Sequence, residues 1–227
     1  MESELKQNLL KIQQRIAAAL KRSGRNTSVE LVAVSKLQPA SLVQEFLNLG
    51  GSIILGENYV QEFKKKREEL KGDFKAHLIG PLQRNKAKLA VELFDLIESV
   101  HSVEVAQAID KAAAQLGKVQ EIFLQINISS DAAKSGFTAN AAAEFFRGEL
   151  TRLKNLNCTG LMTITELYEK PEEARGDFRS LNQLAQSLKP GLGLSMGMSQ
   201  DFEIAVEEGA THVRVGTALF GERSTKP

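Results

Sequence analysis

Apolar positions recur three and four apart over residues 2–23, where Leu5, Leu9, Ile12, Ile16 and Leu20 fall on one side of the pattern. That spacing predicts an amphipathic helix, and Gly24 is its expected stop. The period then changes. Val29–Ser35 is a short apolar run with β-branched residues, closed by Lys36, and Pro39 suits the first turn of a second helix. Further runs of strand length lie near 52–56, 75–80, 96–100, 121–128, 157–164, 191–196 and 212–216. Helical patterns fill the gaps, near 39–49, 57–71, 83–94, 102–116, 138–154, 171–188 and 199–208. Eight strands result, each followed by a helix, with a short terminal helix covering the last.

Alternation at this spacing predicts parallel strands joined by crossover helices. A closed barrel and an open doubly wound sheet both satisfy it. Eight units, and no GxGxxG turn after the first strand, favour a single (β/α)8 TIM barrel. No linker, composition break or repeat interrupts the chain. One domain over residues 1–227 is therefore expected, with the helix at 1–24 packed on the barrel.

Composition narrows the possible partners. A net charge of +1 argues against nucleic acid or an anionic membrane surface as a dominant partner. No apolar run approaches the roughly 20 residues of a membrane span, and residues 1–11 are too polar for a secretory signal. The single Cys158 excludes an internal disulfide and a multi-cysteine metal site, and no metal site is expected. A cytoplasmic protein is the plain expectation.

In such barrels the chemistry gathers at the C-terminal ends of the strands. That rule selects Lys36 after strand one, Gly56 to Tyr59 after strand two, and His77 with Gly80-Pro81 at strand three. His101 and Ser102, Asn127 and Ser129, and Met162 and Thr163 follow from strands four to six. Strands seven and eight end in small residues, Ser195, Gly197 and Ser199, then Gly216 and Thr217. Ser199 is expected to cap the helix at 199–208, with Asp201 and Glu203 in its first turn. Small residues, hydroxyls and a helix start are a layout for holding a phosphate, although an ordinary pair of tight turns has the same look.

Lys36 closes an apolar strand, so its stem is held by the barrel wall. A desolvated amine there is a nucleophile toward an aldehyde; the alternative is a strand-end lysine paired with a carboxylate. Arg214 alternates with Val213 and Val215, which turns it into the barrel, toward either a ligand or a carboxylate such as Glu57. His77, inside the apolar stretch AHLIG, reads equally as a satisfied core histidine. The runs KKKR (64–67) and RNKAK (84–88) are expected to be solvated helix faces.

A set of motifs occurs in order: VAVSK at 32–36, GENYVQE at 56–62, HLIGPLQRNK at 77–86, KSGF at 134–137, GLMTI at 160–164, and LSMGMSQDFEIAVEEGATHVRVGTALFGER at 194–223. With them the chain resembles the YggS/PROSC family, the pyridoxal phosphate homeostasis proteins, from the first strand to the C-terminus. The last motif alone is highly specific, and Ala76 departs from the aromatic residue that often precedes the histidine.

The resemblance implies a barrel of the alanine racemase N-terminal-domain type that carries pyridoxal 5′-phosphate (PLP) as a Schiff base. By motif, Lys36 forms the imine and Ser199, Gly216 and Thr217 hold the phosphate. Arg214 resembles the arginine facing the pyridine nitrogen, which keeps the ring a weak electron sink. Asn58, His77, Met162 and Ser195 are implied to line the ring.

A two-base racemase needs an acid/base on each face of the substrate. In alanine racemase the second is a tyrosine from another subunit's extra domain, which this sequence does not show. Tyr59 adjoins Asn58 in a different context, and neither Tyr59 nor Tyr168 is expected to serve the far face. A non-catalytic PLP carrier, acting as a monomer and delivering cofactor to PLP-dependent apoenzymes, is thus expected over a racemase of low activity. A Schiff-base aldolase explains Lys36 but leaves the phosphate and arginine pattern unused.

Overall fold

The computed structural model describes residues 3–51, 53–129, 135–166 and 168–221. Helix α1 spans Glu4–Ser23, starts at a Ser3 cap whose side chain accepts from the Lys6 N–H, and stops at Gly24 in the left-handed conformation (φ 67°). Eight strands follow: β1 Glu30–Val34, β2 Ile54–Glu57, β3 Lys75–Leu78, β4 Leu96–Val100, β5 Gln120–Ile126, β6 Leu156–Thr163, β7 Gly193–Ser195 and β8 His212–Val215. The helices between them are α2 Ala40–Leu47, α3 Val60–Glu69, α4 Ala87–Leu93, α5 Val103–Gln115, α6 Ala139–Arg147, α7 Arg175–Leu188 and α8 Phe202–Glu207, with α9 Thr217–Phe220 after β8.

All eight strands pair in parallel with their sequence neighbours, and β1 pairs with β8, so the sheet closes. The closing register sets Val32 beside Arg214 and Ala33 beside Val215. The (β/α)8 barrel expected from the alternation is therefore the observed architecture. Several helices are shorter than their sequence pattern suggests, because 3₁₀ turns at Arg84–Lys86, Glu149–Arg152 and Pro171–Ala174 take up their ends. Lys134 of the KSGF motif, and Glu222 and Arg223, lie outside the described residues.

Strand alternation divides the side chains into two populations. Ala33, Leu55, Ala76, Leu78, Ile97, Leu161, Leu194, Val213 and Val215 point outward into one large core shared with the helices. The inward positions form two small apolar clusters, Val32, Ile54 and Ile79 in one and Leu96, Phe123 and Met162 in the other. His77, Glu98, Ser195 and Arg214 are the remaining buried inward side chains that matter for the site. Helix α1 packs on α8 and α9. Its Arg15 stacks over the Phe202 ring at 4.4 Å, which ties the N-terminal segment to the last two units of the barrel.

Candidate functional site

A cavity of about 270 Å³ opens at the C-terminal ends of the strands. Val34 and Lys36 enter it from β1, Asn58 and Ile79 from the ends of β2 and β3. Tyr168 and Glu166 come from the segment after β6, and Met198–Asp201 from the turn after β7. Arg214, Gly216 and Thr217 complete the wall from β8 and the start of α9. Residues from opposite ends of the sequence share this space because β1 and β8 are hydrogen-bonded neighbours.

The turn after β7 is shaped by packing. Gly197 has φ 88°, and a Cβ there would stand 2.5 Å from Ala205 Cβ and 2.8 Å from Phe202 Cα. Only glycine lets the turn press on α8 this closely. Asp201 then fixes the turn: its Oδ1 accepts from the Met198 N–H at 2.6 Å. Helix α8 begins at Phe202 with Asp201 as its cap residue, so Ser199 does not cap it, contrary to the sequence expectation. Its hydroxyl is instead directed toward Thr217, whose Oγ1 donates to Ser199 Oγ at 3.3 Å. Both hydroxyls border the cavity beside Gly216, where the missing Cβ leaves room next to Val34.

Beneath the cavity lies a polar column that crosses the barrel. Arg214 Nη1 donates to Ser195 Oγ at 2.7 Å, and Nη2 donates to the Thr163 carbonyl at 2.7 Å. The Ser195 hydroxyl donates to Glu98, whose other oxygen meets His77 Nδ1 at 2.7 Å. Burial alone pushes Glu98 up, but the hydrogen bond to His77 and the Arg214 charge outweigh it and hold the carboxyl below its usual range. Burial lowers Arg214, yet a guanidinium stays protonated in any protein environment. Of the sequence-selected residues, Lys36, Asn58, Ser199, Arg214, Gly216 and Thr217 line the cavity, and Ser195 and His77 belong to the column that anchors Arg214. Met162 sits in the inner apolar cluster with Leu96 and Phe123.

Besides the Ser199 cap, three further expectations change. Glu57 is not the partner of Arg214; it pairs with Lys66 at 2.7 Å. Lys66 is only 6% exposed, so the run at 64–67 is not wholly a solvated face. Tyr168 lines the cavity, a position that no sequence pattern predicts for it. Its hydroxyl donates to Asp177 at 2.9 Å, and burial, followed by that carboxylate, raises its pKa to about 12. Glu98 is not among the sequence-selected residues, because a glutamate inside the stretch LIESV gives no sign of reaching Arg214 through the Ser195 hydroxyl. Arg84 and Lys86 rim a second, more open recess of about 950 Å³ that shares Asn58 with the cavity.

Asn58 provides a test of fit for a polar ligand. Its Oδ1 is buried without a hydrogen-bond partner among the described residues, while the residue lines the cavity. An unmet buried acceptor at a cavity wall is what a ligand-facing group leaves behind. Together with a lysine in the turn after β1, two hydroxyls beside a glycine and an anchored guanidinium, it suits a phosphorylated aldehyde with a polar ring.

A closed parallel barrel with a lysine just after its first strand and two hydroxyls beside a glycine after its last strands places the chain in the class of racemase-type barrels. The chain belongs to the alanine racemase N-terminal domain family, which it matches over residues 5–224. It is 41% identical over 224 residues to the pyridoxal phosphate homeostasis protein of Aquifex aeolicus, covering 96% of this chain and 97% of that one. The pyridoxal phosphate homeostasis protein of Pseudomonas aeruginosa is 39% identical over 227 residues, covering 97% and 96% respectively. The solved structure of PipY from Synechococcus elongatus with PLP bound superposes with a TM-score of 0.78 at 38% identity, over 91% of this chain and 100% of PipY.

Proposed function

We propose that this protein binds PLP in the 270 Å³ cavity and serves intracellular PLP homeostasis, holding the cofactor and handing it on without turnover. The observation that carries the reading is the convergence of Lys36, Arg214, Ser199, Gly216 and Thr217 on one cavity. The PLP-bound PipY structure and the names of the two relatives support it. Ser199, Thr217 and the space at Gly216 hold the phosphate. Asn58 offers an acceptor to a ring substituent, and Arg214, fixed by Ser195 and Thr163, faces the ring nitrogen. The Lys36 amine joins the aldehyde as an imine. PLP supplies an electrophilic aldehyde and a conjugated ring when bound; Arg214 limits how far that ring withdraws electrons.

The same reading places the protein in the cytoplasm as a monomer that delivers PLP to apoenzymes. Among the described residues no helix is long and apolar enough to cross a membrane, and no group of side chains is arranged to hold a metal ion. The decisive test is a paired measurement on the purified full-length protein loaded with PLP. A visible imine band that borohydride bleaches, together with reactivation of a PLP-free enzyme, is the expected result. A colourless protein after loading overturns the binding reading, and a coloured one that never releases PLP overturns delivery.

A further inference from the structure

Lys36 sits in a turn that its own sequence does not favour. The Gln38 N–H donates to the Ser35 carbonyl at 3.1 Å, closing a four-residue turn with Lys36 and Leu37 at its centre. Leu37 has φ 60°, the one non-glycine with positive φ among the described residues. A turn with that conformation at its third position ordinarily takes glycine or asparagine. The Leu37 side chain is 57% exposed, so packing does not compensate. Such strain persists only where the surroundings impose it.

The surroundings here are one buried ammonium. Lys66 Nζ, from α3, donates to the Ser35 carbonyl at 2.7 Å, to Glu57 Oε1 at 2.7 Å and to Glu62 Oε1 at 2.9 Å. Ser35 Oγ donates to the same Glu57 oxygen at 2.7 Å, and the Leu37 N–H donates to the same Glu62 oxygen at 2.7 Å. The residues on both sides of Lys36 are thus tied to a single lysine and its two carboxylates. Lys66 is buried while Lys64, Lys65 and Arg67 around it are exposed. A lysine taken out of water here, beside three exposed neighbours, marks a position with a purpose beyond solubility.

We infer that Lys66, acting through Glu57 and Glu62, is the positioning residue for Lys36: it fixes the peptides before and after Lys36 and so the direction in which that side chain leaves β1. The inference rests on the reading in which Lys36 is the attachment site. There the Lys36 nitrogen adds to the aldehyde carbon, water leaves with the carbonyl oxygen, and a C=N bond remains. Positioning governs that step and not the hold on the phosphate, which the turn after β7 and the start of α9 provide.

The test uses the full-length chain as wild type, Lys66→Met, Glu62→Ala and the double variant Glu62→Ala/Leu37→Gly. Each is given PLP and, separately, pyridoxine 5′-phosphate, which has the phosphate and ring but no aldehyde. Both single variants should form the imine at least about tenfold more slowly, since small misplacements of a reacting group carry penalties of that order or larger. Pyridoxine 5′-phosphate affinity should stay within about threefold, below the tenfold that 1.4 kcal/mol represents. The double variant should recover imine formation, because glycine adopts the Leu37 conformation without help. Lys66→Met leaves Glu57 buried and unpaired and is the variant at risk of not folding; Glu62→Ala keeps the Lys66–Glu57 pair and decides the matter in that event. Wild-type imine rates in the folded single variants, or equal weakening of both ligands, overturn the inference. Failure of the underlying reading is separate: borohydride trapping on wild type would then label a lysine other than Lys36, or none.

Discussion

Arg214 and Glu98 are joined through one hydroxyl: Ser195 Oγ accepts from the guanidinium at 2.7 Å and donates to the carboxylate. Two buried ionised groups on opposite parts of the barrel are thereby matched without touching. Ser195→Ala removes the shared group and leaves each with one fewer partner. Hydrogen bonds to charged groups contribute about 1.5–3 kcal/mol, so the melting temperature should fall by roughly 3–12 °C for a domain of this size. The pH dependence follows from the lowered Glu98 carboxyl. A carboxyl lowered by folding stabilises the protein above its unfolded value of about 4.3, and the contribution is lost as pH falls through the folded value. Thermal melts from pH 7 down to acid should therefore show the two proteins converging at low pH. A gap that persists unchanged there would assign the loss to packing instead.

Attachment is decided by Lys36→Ala. The visible imine band should vanish, while some PLP remains bound through the phosphate cup. Borohydride reduction of the wild-type protein followed by peptide mapping should place the reduced pyridoxyl group on Lys36, and a label on Lys66 would be the most damaging result. Lys66 is the rival because it is also a buried lysine close to β1, but its Nζ is engaged by the Ser35 carbonyl, Glu57 and Glu62 and it does not line the cavity.

The phosphate cup is tested by comparing PLP with pyridoxal. Ser199→Ala removes one hydroxyl at the cup and should cost about tenfold or more in PLP affinity, with much less effect on pyridoxal. At Gly216 a Cβ would meet Val34 Cβ and the Val34 carbonyl at 3.4 Å, which is close but tolerable. Gly216→Ala should therefore fold, and Gly216→Val should fold while filling the cup. Isothermal titration with both ligands gives the answer: equal losses for PLP and pyridoxal would put the phosphate elsewhere.

The barrel, and the placing of Ser199, Gly216 and Thr217 at the strand ends that border one cavity, are legible in the sequence because each rests on local signals. Strand and helix periods alternate visibly, and Ser199, Gly216 and Thr217 follow runs that end as strands do. Simple alternation with Val213 and Val215 turns Arg214 inward. What escaped depends on contacts across the sheet. Nothing near Glu98 in sequence announces Ser195, 97 residues away, as its partner. In sequence Lys66 is one charge in a polar run, because burial of that single position depends on the contact of α3 with the end of β1. Tyr168 comes from an irregular segment after β6, where no period exists to say which way a side chain points.

Gly80 offers a test of the wall between the cavity and the neighbouring recess. A Cβ there would stand 2.5 Å from both Asn58 Cα and the Asn58 carbonyl oxygen, so backbone must move. Gly80→Ala should cost about 1–3 kcal/mol by overpacking and displace Asn58. Because Asn58 lines the cavity, PLP binding should weaken along with stability. Denaturant titration beside the PLP titration checks both; a stable variant with normal affinity would show that Asn58 does not bear on the ligand.

The presence of Tyr168 in the cavity sharpens the question of activity, since a tyrosine is the group a racemase would use on its second face. Two properties argue against that role here. Its hydroxyl donates to Asp177 at 2.9 Å, so its proton is already directed away from a ligand. Its pKa is raised to about 12, far from the range near neutrality where a group both gives and takes a proton efficiently. If Arg214 faces the ring nitrogen as proposed, it adds a third obstacle, because a guanidinium there gives the ring no full positive charge to stabilise a carbanion. Amino acids are expected to displace Lys36 slowly at most, with negligible formation of the D-enantiomer. Tyr168→Phe should leave whatever trace remains unchanged, since a group that takes no part in proton transfer is not missed. Chiral analysis of several L-amino acids after long incubation, for wild type and variant, measures this directly. Turnover on the order of 1 s⁻¹, within the ordinary enzyme range, abolished by Tyr168→Phe, would make the protein a racemase with an internal second base and sink the carrier reading.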